Sequence, residues 1–129
     1  MPVSFLKLAD ILAFHEYQIE RYGGATGIRD WNLLHSAAAM PAATFGGQFL
    51  HADLFEMAGA YLFHLVQGHP FIDGNERVGA AAAATFLEYN GFVLTADPDD
   101  YAELVLAVAR GEIPKSAIAD FFRANVEPL

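Results

Sequence analysis

Apolar positions recur with helical period along most of this chain. Between residues 4 and 22, Leu8, Ile11, Leu12, His15, Ile19 and Tyr22 fall three or four apart, which predicts an amphipathic helix. Ser4 stands where it can cap that helix, and Gly23-Gly24 where the helix should stop. After a turn-rich stretch, Asp30 can cap a second helix from Trp31 to Met40, with Pro41 ending it. The period then lapses. Over residues 41–51, Gly46-Gly47 between Phe45 and Phe49 predicts a small hairpin or an irregular flap. Asp53 and Glu56 follow at capping-box spacing. The helix they open puts Leu54, Ala58, Tyr61, Leu62 and Leu65 on one face, while Phe55, Met57 and Phe63 cover much of the rest. Such a helix belongs in the interior, with Gly68 as the residue that closes it.

A further helix is expected from Glu76 to Asn90, stopped by Asn90-Gly91. Gly79 and Ala80 to Ala84 give it little bulk, so a neighbour can approach closely and the centre of the bundle is its expected place. Asp97-Pro98 opens a helix to Arg110, and Pro114 opens a last one to about Asn125. No repeat or linker interrupts residues 1–129. The reading is one all-α domain, a bundle of about six helices with a short flap between the second and third.

Composition narrows the classes. A chain that is 54% hydrophobic and 18% charged can bury a core and is not disordered. No apolar run approaches the ~20 residues of a spanning helix. Lys7, Asp10, Glu16 and Glu20 make the N-terminal segment unlike a signal peptide. A soluble, cytoplasmic protein is expected. Seven basic against sixteen acidic residues give a net charge of −9, which argues against direct nucleic-acid binding and against anionic membranes. The absence of cysteine excludes disulfides, thiolate catalysis and cysteine-bound metals.

The chemistry is concentrated in His69-Pro70-Phe71-Ile72-Asp73-Gly74-Asn75-Glu76-Arg77. An imidazole can accept a proton near neutral pH. A carboxylate suits a hard cation. Gly74, Asn75 and Arg77 at the opening of a helix favour an anion. A base, a metal ligand and a phosphate cradle so close together imply nucleotide-dependent group transfer. Plainer roles are available too: Asp73 can cap through Glu76, Gly74-Asn75 can make a simple turn, and Arg77 can pair with an acidic neighbour. His15, His35, His51 and His64 lack the spacing of a metal helix and are read as packing or surface residues, although His64 could line the site.

The spaced identities H-P-F-x-D-G-N-x-R, with a chance frequency on the order of one in a billion windows, resemble the motif of the Fic/Doc superfamily. Tyr22-Gly23-Gly24 with Gly27-Ile28-Arg29-Asp30, Asp53-Leu54-Phe55-Glu56, Asn90-Gly91 and Gly111-Glu112-Ile113 resemble its death-on-curing (Doc) branch. The resemblance implies a helical toxin of a toxin–antitoxin system that uses ATP and Mg²⁺. Its implied activity is phosphorylation of a Ser, Thr or Tyr hydroxyl on a translation-related protein such as elongation factor Tu. By the same resemblance His69 is the general base and Asp73 the metal ligand. Gly74, Asn75 and Arg77 bind phosphate, and Phe71 is the buried anchor of the loop. Thr44, Phe45, Gly46, Gly47, Gln48 and Phe49 form the flap that positions the target. Glu76 stands where the Doc branch usually has Lys and AMP-transferring relatives usually have Gly, so it is expected to modulate the reaction. Phosphoryl transfer is favoured, AMP transfer is the alternative, and a catalytically silent binding module is the third reading. No Glu is followed by Gly or Asn, so the inhibitory helix of autoinhibited relatives is absent. Control by a Phd-type antitoxin in trans is the expectation.

Overall fold

The computed structural model describes residues 2–129. Six helices carry the fold, as the periodicity predicts: α1 (Leu8–Tyr22), α2 (Trp31–Ala39), α3 (Leu54–Gly68), α4 (Asn75–Tyr89), α5 (Pro98–Ala109) and α6 (Lys115–Ala124). The flap is a hairpin of β1 (Thr44–Phe45) and β2 (Gln48–Phe49), paired antiparallel. A second antiparallel pair, β3 (Phe92–Leu94) with β4 (Val126–Pro128), ties the end of the chain to the segment after α4.

The helix at the centre is α3, not the alanine-rich α4. α3 packs against α2, α4, α5 and α6, because it carries the bulk that fills a core: Met57, Tyr61, Leu62 and Leu65 are all buried. The expected close approach does occur along the α3–α4 seam. A Cβ added at Gly79 would lie 2.8 Å from Val66 Cγ2 and 3.4 Å from the Leu62 carbonyl oxygen. Any larger residue at position 79 would have to displace the Val66 side chain. The pairing matters for function, since α3 ends and α4 begins at the same end of the molecule, joined by residues 69–74.

Several ends differ from expectation. Ser4 caps nothing; its N–H donates to Asn90 Oδ1 at 2.8 Å, and α1 begins at Leu8. There the Asp10 carboxylate accepts from Lys7 N–H at 2.8 Å, so the acidic side chain, not a hydroxyl, closes the helix start. Pro41 does not end α2 abruptly but sits inside a short 3₁₀ turn, Met40–Ala42, where a missing N–H costs little. Asp53 accepts from Glu56 N–H at 2.8 Å as expected of a cap, while Glu56 turns to Arg123, 3.6 Å away, in place of completing the box.

Candidate active site

Residues 68–74 must reverse the chain within one loop, and the backbone shows where the turn is made. Gly68 is still helical; the left-handed residue is His69, at φ 50°, the sole non-glycine with positive φ among the described residues. A side chain held there costs on the order of 1 kcal/mol and persists only if its surroundings enforce it. Here the enforcement is explicit. Arg29 donates from Nε to the His69 carbonyl (2.6 Å) and from Nη2 to the Gly68 carbonyl (3.0 Å), bringing positive charge to the free carbonyls that end α3. The N–H groups of Arg29 and Asp30 both donate to the Pro70 carbonyl, at 2.7 and 3.0 Å, and Ile72 N–H donates to Gly27 at 3.1 Å. The loop before α2 thus grips the motif along its length.

Inside the loop, Phe71 is buried and stacks on the His15 ring, with centroids 3.9 Å apart and planes 6° from parallel. His15 Nε2 donates to the Asp73 carbonyl at 2.9 Å. Asn75, 4% exposed, is bound at both ends of its amide: Oδ1 accepts from Phe71 N–H (2.9 Å), and Nδ2 donates to the Phe71 carbonyl (3.0 Å) and to His69 Nδ1 (2.8 Å). Because Phe71 sets the amide's orientation, Nδ1 of His69 is an acceptor and the hydrogen of the neutral ring lies on Nε2. The His69 ring itself is exposed.

Asp73 does not cap α4. Its Oδ2 accepts from Ala25 N–H at 2.8 Å. The N-cap is Gly74, left-handed at φ 82° and without a capping side chain. The first helical bond runs from Val78 N–H to the Gly74 carbonyl (3.0 Å), which leaves the N–H groups of Asn75, Glu76 and Arg77 directed outward. Arg77 is exposed and has no carboxylate within 4.0 Å among the described residues. Its guanidinium rests over the Tyr22 ring, 4.4 Å from the centroid. The surface ion pair considered for it is therefore not formed.

Two cavities meet at Gly74 and Glu76. One of about 490 Å³ lies between α4 and α5, lined by Arg77, Ala80, Pro98, Tyr101 and Val105 among others. The other, about 290 Å³, is lined by Val66, His69, Asp73, Asn75 and Ala109. Glu76, exposed, borders both. For a divalent cation the motif offers the Asp73 carboxylate, whose Oδ1 has no hydrogen bond among the described residues, with the exposed Glu76 on the same cavity's rim. That set suits Mg²⁺, which takes one or two carboxylates and fills its other positions with phosphate and water.

The hairpin is not drawn into this group. Phe49 packs edge-on against Phe5 (5.6 Å), and Phe5 stacks on Phe86 near the far end of α4 (5.9 Å). Thr44, Gly46, Gly47 and Gln48 are exposed, Phe45 is 80% exposed, and none of the six lines either cavity. Conversely, the structure adds Arg29, Tyr22 and His15. His15 sits on the apolar stripe of α1, so the sequence marks it as core without showing the Asp73 carbonyl as its partner. Arg29 belongs to the Gly27–Asp30 cluster, but its function as the clasp of α3 is visible only in the fold.

The Fic/DOC family model matches residues 5–87, which runs from before α1 through the motif to the last turns of α4. The chain belongs to the Fic/DOC family. As a member it is similar to Protein kinase doc of Escherichia phage P1, 34% identical over 114 residues, or 88% of this chain and 89% of that protein. It is also similar to Toxin Doc of Mycolicibacterium smegmatis (strain ATCC 700084 / mc(2)155), 42% identical over 100 residues, 76% and 77% of the two. In this Fic/DOC chain the matched segment holds the whole motif and its clasp, while the α5 wall of the larger cavity lies beyond it. No helix among the described residues is long and apolar enough to cross a membrane.

Proposed function

We propose that this chain is a Doc-like toxin that transfers the γ-phosphoryl group of ATP to a Ser, Thr or Tyr hydroxyl of a translation-related protein such as elongation factor Tu. The observation that carries the reading is the uncapped start of α4. Three outward N–H groups and an unpaired Arg77 form an anion cradle beside an exposed His69. The names of the two relatives, a protein kinase and a toxin, support it.

In this reading Gly74, Asn75 and Arg77 take the phosphates, the first two through backbone N–H groups, since the Asn75 side chain is spent inside the loop. Mg²⁺ held by Asp73 would neutralise phosphate charge. The target oxygen attacks the γ-phosphorus, the bond to the ADP oxygen breaks, and His69 takes the hydroxyl proton. To accept it at Nε2 the ring must leave Asn75 as the target docks, which its exposure permits. Phosphoryl transfer asks for alignment and charge neutralisation, and the gripped loop supplies both. The larger cavity favours the γ-phosphate as the reacting end. A nucleoside between α4 and α5 would send its phosphate chain across the helix start toward His69. Seated in the smaller cavity, it would turn its α-phosphorus to His69, and AMP transfer would follow. Glu76, between the two, is placed to influence the choice. The hairpin, exposed through Phe45, remains the candidate dock for the target, and a Phd-type antitoxin is the proposed regulator in a cytoplasmic setting.

The test is incubation of the protein with a bacterial lysate and ATP labelled separately at the α and γ positions. Label from the γ position on a protein, lost by about 10²–10⁴-fold in His69→Ala, is the expected result. Label from the α position would replace phosphoryl with AMP transfer. Label from neither, or transfer undiminished in His69→Ala, would leave a silent fold or a different catalyst.

A further inference from the structure

Away from the motif, one cluster of titratable groups is left unused by this reaction. Lys115, the first residue of α6, places Nζ 3.0 Å from His64 Nε2 on α3 and 3.3 Å from His51 Nε2, just after the hairpin. Phe63 closes one side, its ring centroid 5.6 Å from Nζ. An ammonium can only donate, so while Lys115 is charged both imidazoles accept and are neutral. No carboxylate lies within 4.0 Å of Nζ among the described residues. Glu56, an acidic group that acts on His51, is 3.6 Å from Arg123, which also holds Asp53 and Asp120. His51 is buried; with Nε2 accepting from Lys115 its hydrogen lies on Nδ1, near the Met40 backbone, and charging the ring would set a second N–H at Nε2 against the Lys115 amine.

We propose that Lys115 is an acylation site, a nucleophilic amine that accepts an acyl group from a thioester or an acyl phosphate. The donor count is the reason. If the rings keep those tautomers when Lys115 loses its proton, the amine's two N–H bonds match the two imidazole acceptors and its lone pair is left free. The ammonium has a third N–H that finds no acceptor among the described residues beyond the face of Phe63, and no counter-ion within 4.0 Å. Burial lowers the Lys115 pKa, and the His64 pKa falls to about 4 through burial first and the neighbouring Lys115 second. Lys115 is half-buried, and a lysine whose pKa is lowered offers more free amine at neutral pH. In the step, the amine lone pair attacks the acyl carbon and a C–N bond forms. The C–S or C–O bond to the carrier breaks, thiolate or phosphate leaves, and the amine proton passes to an imidazole Nε2. The amide keeps a single N–H, so one histidine loses its donor and the joint between α3, α6 and the segment after the hairpin is loosened.

Two lysines make the test clean, because exposed Lys7 serves as the internal comparison. The intact protein is exposed to limiting acetyl phosphate or, in a second arm, acetyl-coenzyme A, and acetylation at each lysine is followed by peptide mass spectrometry from pH 6 to 10. At pH 7.5 Lys115 should react about tenfold faster than Lys7 with at least one donor, and its advantage should shrink toward pH 10 as Lys7 loses its proton. The arm that reacts identifies the donor class. Lys115 reacting no faster than Lys7 with either donor, or an advantage constant across the pH range, would overturn the proposal. His64→Glu, which supplies a counter-ion, should cut the Lys115 rate at least tenfold; an unchanged rate would equally overturn it.

Discussion

Among single residues, Glu76 is the most exposed to test, because it departs from the pattern its neighbours follow. It follows the first residue of α4, next to three N–H groups and an arginine that attract anions, and contributes a negative charge to the rim of both cavities. An N-terminal acidic residue ordinarily stabilises a helix by interacting with its dipole. In the proposed reaction the same charge would oppose the arrival of phosphate. Replacing it by lysine reverses one charge a few ångströms from the cradle, and at the effective dielectric of a protein surface that amounts to more than 1 kcal/mol. Glu76→Lys should therefore tighten ATP binding by about tenfold in calorimetric titration, with the gain shrinking in high salt. An unchanged dissociation constant would mean that the phosphates do not pass over this helix end.

For the elements, the join of α3, α6 and the hairpin's base has a pH dependence of its own. His51 and His64 both have pKa values lowered by burial first and by Lys115 second, His64 to about 4. Such a ring binds its proton sooner in the unfolded chain than in the folded one. The stability it contributes is therefore complete above about 6.5 and drains away as pH falls toward 4. Allowing for the partial exposure of His64, about 2 kcal/mol should disappear from the unfolding free energy between pH 7.5 and 4.5, and His64→Gln should flatten that slope. Urea melts across this range check it. This joint also shows where sequence reading ends. Helices were legible, because a 3.6-residue period persists over many residues, and so was the motif, because its chemistry is contiguous. The β3–β4 pair was not, since three residues are too few to show alternation. Neither was the left-handed residue at the end of α3: Gly68 is the local favourite, but Arg29, forty residues away, holds the strain at His69. Asp73 is the same case. Its local partner would be Glu76, yet the fold supplies Ala25 N–H, and only contacts distant in sequence decide between them.

The charge of the whole molecule sets a problem that the site must solve. With a net charge of −9 on the protein, the nucleotide triphosphate proposed as substrate would be repelled at long range and attracted near Arg77 and the start of α4. The acidic residues are not remote from that route: Asp97, Asp99 and Asp100 open α5 beside Pro98, which lines the larger cavity. The two fields have different ranges. At ~0.01 M salt the screening length of ~30 Å spans the molecule and the nucleotide feels all of its charge; at ~0.15 M it falls to ~8 Å and the local cradle dominates. Binding of ATP should therefore tighten several-fold as salt rises over that interval, contrary to the usual weakening of a phosphate held by an arginine. A basic protein partner should show the reverse, associating fastest at low salt. Titration of ATP at four or five ionic strengths, with magnesium held constant, decides the matter. A monotonic loss of affinity with salt would show that Arg77 and the helix start outweigh the global field at every distance, and the larger cavity would then have to be shielded from the acidic end of α5.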